Sequence, residues 1–158
     1  MVQAFTILRK KYLWSAELYL AGAKESDIRD ALRERQIRVE EVDWQKIHLL
    51  GDLGSEKLTD YYNLCDVFCM PSYFEAYGLV FAEALTYGLP CIGRDKFAMS
   101  EFIEDGCTGR LISGEDAEEL ALDLWEVLQD PKYREEVERR REWYLREYSW
   151  DKVAQRIC

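Results

Sequence analysis

The chain has 158 residues, 48% of them apolar, which predicts one domain with a sizeable core and excludes a disordered chain. Its formal net charge is −10. That balance argues against a nucleic-acid binder, whose Lys and Arg must meet a phosphate backbone, and against a strongly basic membrane patch.

In chain order, residues 2–13 read as a helix with Ala4, Phe5, Ile7, Leu8 and Leu13 apolar and Arg9, Lys10 and Lys11 clustered. Residues 17–21 read as a strand ending in a turn at Gly22, and residues 25–36 as a helix that Ser26 can cap. A polar link over 39–45 leads to a strand at 47–50 and a turn at 51–54. Ser55 then caps a helix to Leu64, with Leu58, Tyr61, Tyr62 and Leu64 facing inward. The apolar run 66–70 is a buried strand stopped by Pro71. A loop follows, and a helix starts near Gly78. Further strands are predicted at 89–92 and 109–112, a short helix at 100–104, and helices at 116–129 and 131–147, with Ser149 capping a last one. Tyr133 to Glu147 is heavily charged and reads as a solvated helix face. Strands alternate with helices from residue 5 to 129, which predicts an α/β fold: a Rossmann-like parallel sheet with helices on both faces.

Five cysteines, Cys65, Cys69, Cys91, Cys107 and Cys158, include no C-x-x-C pair, and Cys69 and Cys91 read as core thiols. His48 is the only histidine, which argues against a His-rich metal site or a Ser-His-Asp triad. No run approaches the ~20 apolar residues of a membrane span. With no signal peptide recognised, a cytoplasmic setting is the default.

The chemistry concentrates in the strand–loop–helix unit around Gly78. The first N–H groups of such a helix point over the carboxyl end of the strand and suit a phosphate. Glu75 lies in the loop and Glu83 inside the helix, amid Leu79, Val80, Phe81, Ala82, Ala84 and Leu85. A carboxylate in so apolar a helix is expected to need a partner, such as a pair of ribose hydroxyls.

The segment P-S-x-x-E-A-Y-G-L-x-x-x-E-A from Pro71, followed by Gly88-Leu89-Pro90, resembles the E-x7-E segment of retaining GT-B glycosyltransferases, in particular family 4. Leu18-Tyr19-Leu20-Ala21-Gly22, His48-Leu49-Leu50-Gly51, the E-x-I-x-D-G-x-T-G run from Glu101 and Ser149-Trp150-Asp151 resemble further pieces of that family in the same order. The resemblance implies the C-terminal, donor-binding half of a GT-B fold. Residues 1–158 would form a single nucleotide-sugar-binding domain, and helices over 131–158 would pack back toward a missing N-terminal domain. It implies transfer of a sugar from a nucleotide diphosphate sugar to a hydroxyl acceptor, a glycan, lipid or small molecule held by that missing domain. The implied setting is cytoplasmic, or peripheral at the inner membrane face, and polysaccharide biosynthesis is an implied context. As a fragment the chain is expected to be inactive alone.

By the same resemblance Glu75 is the catalytic residue that contacts donor-sugar hydroxyls, and Glu83 holds the nucleotide ribose. Tyr77, Gly78 and Leu79 give backbone groups to the diphosphate, and Leu53 lies in the loop lining the nucleobase pocket. Other readings stay open. Glu75 also fits an acid at a helix N-terminus, Glu83 a partner of some Arg or Lys, Gly78 a plain helix-start glycine, and Leu53 core packing. Ser72 reads as a hydrogen bond to its own loop. Arg94 and Lys96 read as a solvated loop rather than diphosphate ligands. No D-x-D occurs, so neither a metal nor any other cofactor is expected.

Two departures stand out. Phe97 and Ala98 replace the family's Gly-Gly pair, and since neither takes φ > 0 readily, the loop is expected to follow a different backbone. The family's diphosphate-binding Arg and Lys, and its first strand, have no counterpart here; Arg9, Lys10 and Lys11 come too late. The competing reading is a non-catalytic module of GT-B type that binds a nucleotide or a partner.

Overall fold

The computed structural model describes residues 1–148 and residue 152. The expected cap at Ser149, the start of a final helix at Ser149-Trp150-Asp151 and Cys158 lie outside the described residues. Strands and helices alternate, and every named strand pairing among the described residues is parallel, so the α/β architecture is as expected. The chain forms two compact units. The first is Met1–Tyr61 with Glu115–Trp125; the second is Tyr62–Gly114 with the described residues from Glu126 on.

In the first unit, α1 (Val2–Lys11) and α2 (Glu25–Glu34) accompany strands β1 (Leu18–Ala21) and β2 (Ile47–Gly51). Leu18 pairs with Ile47, Tyr19 with His48 and Leu20 with Leu49. Strand alternation then sorts the side chains by face. Leu18, Leu20, Ile47 and Leu49 join Val2, Phe5, Leu32 and Val42 in one core. On the other face the Tyr19 ring stacks on His48 at 4.5 Å and meets Tyr61 at 5.6 Å. Glu17 sits beside this pair, with one carboxylate oxygen 2.7 Å from Lys46 Nζ and the other 2.8 Å from His48 Nε2. Ser26 is not the cap of α2: Lys24 holds that position, and the Ser26 hydroxyl turns to Asp27. The polar link folds into two 3-10 turns, Val39–Glu41 and Trp44–Lys46.

α3 (Ser55–Leu64) starts in the first unit and ends in the second. Ser55 is its first residue rather than a cap before it, and Leu64, expected inside, is exposed. The second unit holds a three-stranded sheet in the order β3 (Phe68–Cys69), β4 (Cys91–Arg94), β5 (Gly109–Ile112). β4 runs through its middle and is buried along its whole length, which makes Cys91 a core thiol as expected. That strand begins two residues later than the sequence suggests, because the Leu89 amide is spent on Ala84 O at the end of the preceding helix.

Helices α4 (Leu79–Thr86) and α5 (Met99–Phe102) follow β3 and β4, and α7 (Lys132–Glu147) packs on α4. The charged helix α7 is solvated on one side only. Tyr133, Val137 and Tyr144 are buried, and Arg141 Nε donates to Thr86 O at 2.8 Å. α6 (Ala117–Gln129) runs from the first unit into the second. The E-x-I-x-D-G-x-T-G run leaves the end of α5 and turns into β5. There the buried Thr108 hydroxyl accepts from Glu104 N at 2.9 Å, and Asp105 accepts from Leu111 N at 2.9 Å.

Candidate functional site

The strands β3, β4 and β5 are parallel, so the loops after them leave one edge of the sheet. In open α/β sheets that edge is where ligands bind. Three loops meet the requirement here: residues 70–78 after β3, residues 95–98 after β4, and Ser113-Gly114 after β5.

The first loop enters α4 through Gly78, which has φ +66. That left-handed turn favours glycine on its own account. A Cβ there would also meet protein, with Phe102 Cε2 at 2.8 Å and the Ala98 methyl at 3.4 Å. The turn brings Tyr77 N and Gly78 N round to Glu75. Oε1 of that carboxylate accepts from them at 3.3 Å and 3.0 Å. Glu75 thus also takes up the helix-start role that the sequence left open, a favourable seat for an anion. The Tyr77 and Leu79 side chains are exposed, so only their backbones turn toward the helix start. Ser72 N donates to Met70 O at 2.9 Å, within its own loop.

Glu83 is exposed, and this corrects the expectation of a carboxylate enclosed by apolar neighbours. The apolar residues beside it in sequence point elsewhere: Phe81, Ala82, Ala84 and Leu85 are buried, while Leu79 and Glu83 share the outward stripe. It does have a partner. The buried Tyr62 donates its hydroxyl to Glu83 Oε2 at 3.2 Å, and the Tyr62 ring stacks on Tyr87 at 5.3 Å. Burial, and then the Glu83 charge, push the Tyr62 hydroxyl well above the usual phenol range. Tyr62 therefore stays a donor.

Leu53 lies in the first unit, half-buried in the turn that follows Gly51. Glu75, Tyr77, Gly78, Leu79 and Glu83 are gathered on one loop and helix of the second unit.

Two residues behave otherwise than the sequence predicts. Phe97 has φ +56, so the 95–98 loop does enter the left-handed region, and does so with a bulky side chain. Its ring is half in solvent and meets the Phe74 ring edge-on at 5.2 Å. Arg94 is no solvated loop residue: it is the last residue of β4 and only 7% exposed. Its place directly after the buried run Cys91-Ile92-Gly93 was the available signal. Lys96 is exposed, as expected. Among the described residues no helix is long and apolar enough to cross a membrane.

Residues 1–142 match the model of the family described as glycosyl transferases group 1. D-inositol 3-phosphate glycosyltransferase of Kribbella flavida is 32% identical over 98 residues, covering 62% of this chain and 23% of that protein. The solved pneumococcal O-GlcNAc transferase GtfA, in complex with UDP and GlcNAc, superposes with a TM-score of 0.70 at 25% identity, over 99% of this chain and 32% of that one. Anabaena Alr3699/HepE, solved with UDP and glucose, shares the fold with a TM-score of 0.79 at 18% identity, over 99% of this chain and 42% of that one. The chain therefore spans about a quarter of the curated relative and under half of either solved chain. With a match that runs through almost all of its described length, the chain belongs to the glycosyl transferases group 1 family.

Proposed function

We propose that this chain is the donor-binding half of a retaining family 4 glycosyltransferase, which moves a hexosyl group from a nucleotide diphosphate sugar to a hydroxyl acceptor. The observation that carries the reading is the turn at Gly78, where an acidic side chain meets the backbone amides of a helix start at the carboxyl edge of a parallel sheet. Amides fixed at such a place stabilise the charge that grows on a departing diphosphate. Tyr77, Gly78 and Leu79 supply them. The bonds from Tyr77 and Gly78 fall on Oε1 of Glu75, which leaves Oε2 to accept from a sugar hydroxyl. Glu83, with one oxygen held by Tyr62, has the other for the ribose.

No metal enters the reading. The helix start takes up part of the diphosphate charge, and cationic groups outside this chain supply the rest. The acceptor, a glycan, lipid or small molecule, belongs to the part of the protein that the curated relatives have beyond this match. Purified alone, the chain is expected to bind nucleotide weakly and to transfer nothing. Work in the cytoplasm, at the inner face of a membrane when the acceptor is a lipid, follows from the same reading, as does a part in polysaccharide assembly.

The test is a titration of the whole protein with UDP, GDP, ADP and their sugars, followed by transfer assays. GtfA was solved with UDP, so UDP is expected to bind first. Glu83→Ala should weaken nucleotide binding at least ~10-fold, the worth of one charged hydrogen bond. Glu75→Ala should abolish transfer and leave nucleotide affinity within about threefold. Nucleotide binding by a whole protein that transfers no sugar would make the chain a non-catalytic module instead.

A further inference from the structure

Arg94 ends the central strand β4 with its guanidinium buried. No carboxylate forms an ion pair with it among the described residues. A buried guanidinium stays charged, so its donors must be met in some other way. Nε donates to Pro71 O at 3.2 Å and Nη1 to Gly114 O at 2.8 Å. The Tyr73 ring covers the guanidinium face, 4.5 Å from ring centre to Cζ.

These three contacts have a pattern. Pro71 and Tyr73 both belong to the loop that carries Glu75, and Gly114 belongs to the loop after β5. The cation is therefore spent on backbone oxygens of two loops that share no hydrogen-bonded strand edge, since β3 and β5 lie on opposite sides of β4. With Pro71 and Tyr73 both fixed, the arc left before Gly78 is four residues, Phe74 to Tyr77. On that arc Glu75 must find the Tyr77 and Gly78 amides.

We propose that Arg94 is a positioning residue for the Glu75 loop: its planar fork ties the loop to the sheet edge and so seats the Glu75 carboxylate on the start of α4. The fork is the point. Lysine would keep the charge, but its compact ammonium cannot reach two carbonyls in one plane while lying flat against a ring. The proposal rests on the transferase reading only for its kinetic consequence; its structural consequence stands alone.

The experiment is amide hydrogen exchange on the whole protein, wild type against Arg94→Lys and Arg94→Met. Glu75→Ala, which has no oxygen for the Tyr77 and Gly78 amides, serves as the reference for an unseated carboxylate. The Gly78 amide should lose protection by at least ~10-fold in both Arg94 variants, while Leu85 and Ile92 stay within about twofold of wild type. Transfer assays on Arg94→Lys should then show kcat reduced at least ~10-fold with KM for the nucleotide sugar within about threefold. Unchanged Gly78 protection in both variants would overturn the proposal. So would full recovery in Arg94→Lys, which would assign Arg94 a charge role only. Equal loss across β3, β4 and β5 in both variants would overturn it too, by making Arg94 a support of the sheet. If wild type transfers no sugar at all, the function proposed above fails, and the exchange data still decide the place of Arg94.

Discussion

Tyr62 and Glu83 meet through one hydrogen bond between a buried phenol and an exposed carboxylate. Removing the hydroxyl leaves the ring and its stack on Tyr87 in place. Tyr62→Phe is therefore expected to cost about 1 kcal/mol of stability, measured by urea unfolding. If Glu83 holds a ribose, the same change should also weaken nucleotide binding. At Glu17 the prediction concerns pH. Hydrogen bonds from Lys46 and then His48 hold its carboxyl down at about 2, against an ordinary value of 4.5. A depressed carboxyl contributes stability above its unfolded pKa and loses it as pH falls through the folded value. The acid limb of the stability curve should thus steepen between about 4.5 and about 2, and Glu17→Gln should flatten it there. The group is open to solvent, so a small effect is expected, readable as a shift in melting temperature against pH.

At the scale of single elements, α4 shows what the sequence could and could not reveal. Its existence and its start at Gly78 were legible, since Pro71 stops the strand before it and a glycine precedes a long apolar run. Which face Glu83 takes was not. The helix is apolar on nearly every side, so its polar stripe amounts to little more than Glu83 and gives no clear period. Strand β4 was found but displaced, because a helix cap outside the strand pattern consumed the Leu89 amide. Arg94 was missed for a related reason: burial of a charged side chain depends on carbonyls that lie 20 or more residues away in the chain. Gly78→Ala tests the turn itself. A Cβ there meets both a left-handed backbone and the Phe102 ring. The expected cost is about 1–3 kcal/mol in urea unfolding, with Phe102→Ala in the same chain recovering only the packing part.

For the molecule as a whole, the described residues of the two units form sheets of two and three strands. Among the described residues β1 and β2 pair only with each other, whereas β4 is flanked by β3 and β5. Parallel pairs depend on cover and on neighbours for their stability. Hydrogen exchange is therefore expected to be at least ~10-fold faster at Tyr19 and Leu20 than at Ile92 and Gly93. Equal protection would mean that the first unit has the stability of the second. The α/β class and its parallel strands were legible because strand and helix periods alternate along the chain. The division into two units was not, since it depends on which elements pack together rather than on the period of any one of them.

The seat of Glu75 has one more consequence. Where its carboxylate rests on the Tyr77 and Gly78 amides, the start of α4 already carries an anion of the chain's own making. A phosphoryl oxygen arriving at those amides would displace a carboxylate oxygen that stays tethered beside them, so two like charges would share the helix start. Salt weakens both that repulsion and the attraction of the amides for phosphate, and the two effects partly cancel. Nucleotide affinity should accordingly vary less with added salt in wild type than in Glu75→Gln, where a phosphate would meet the amides with no acid to displace.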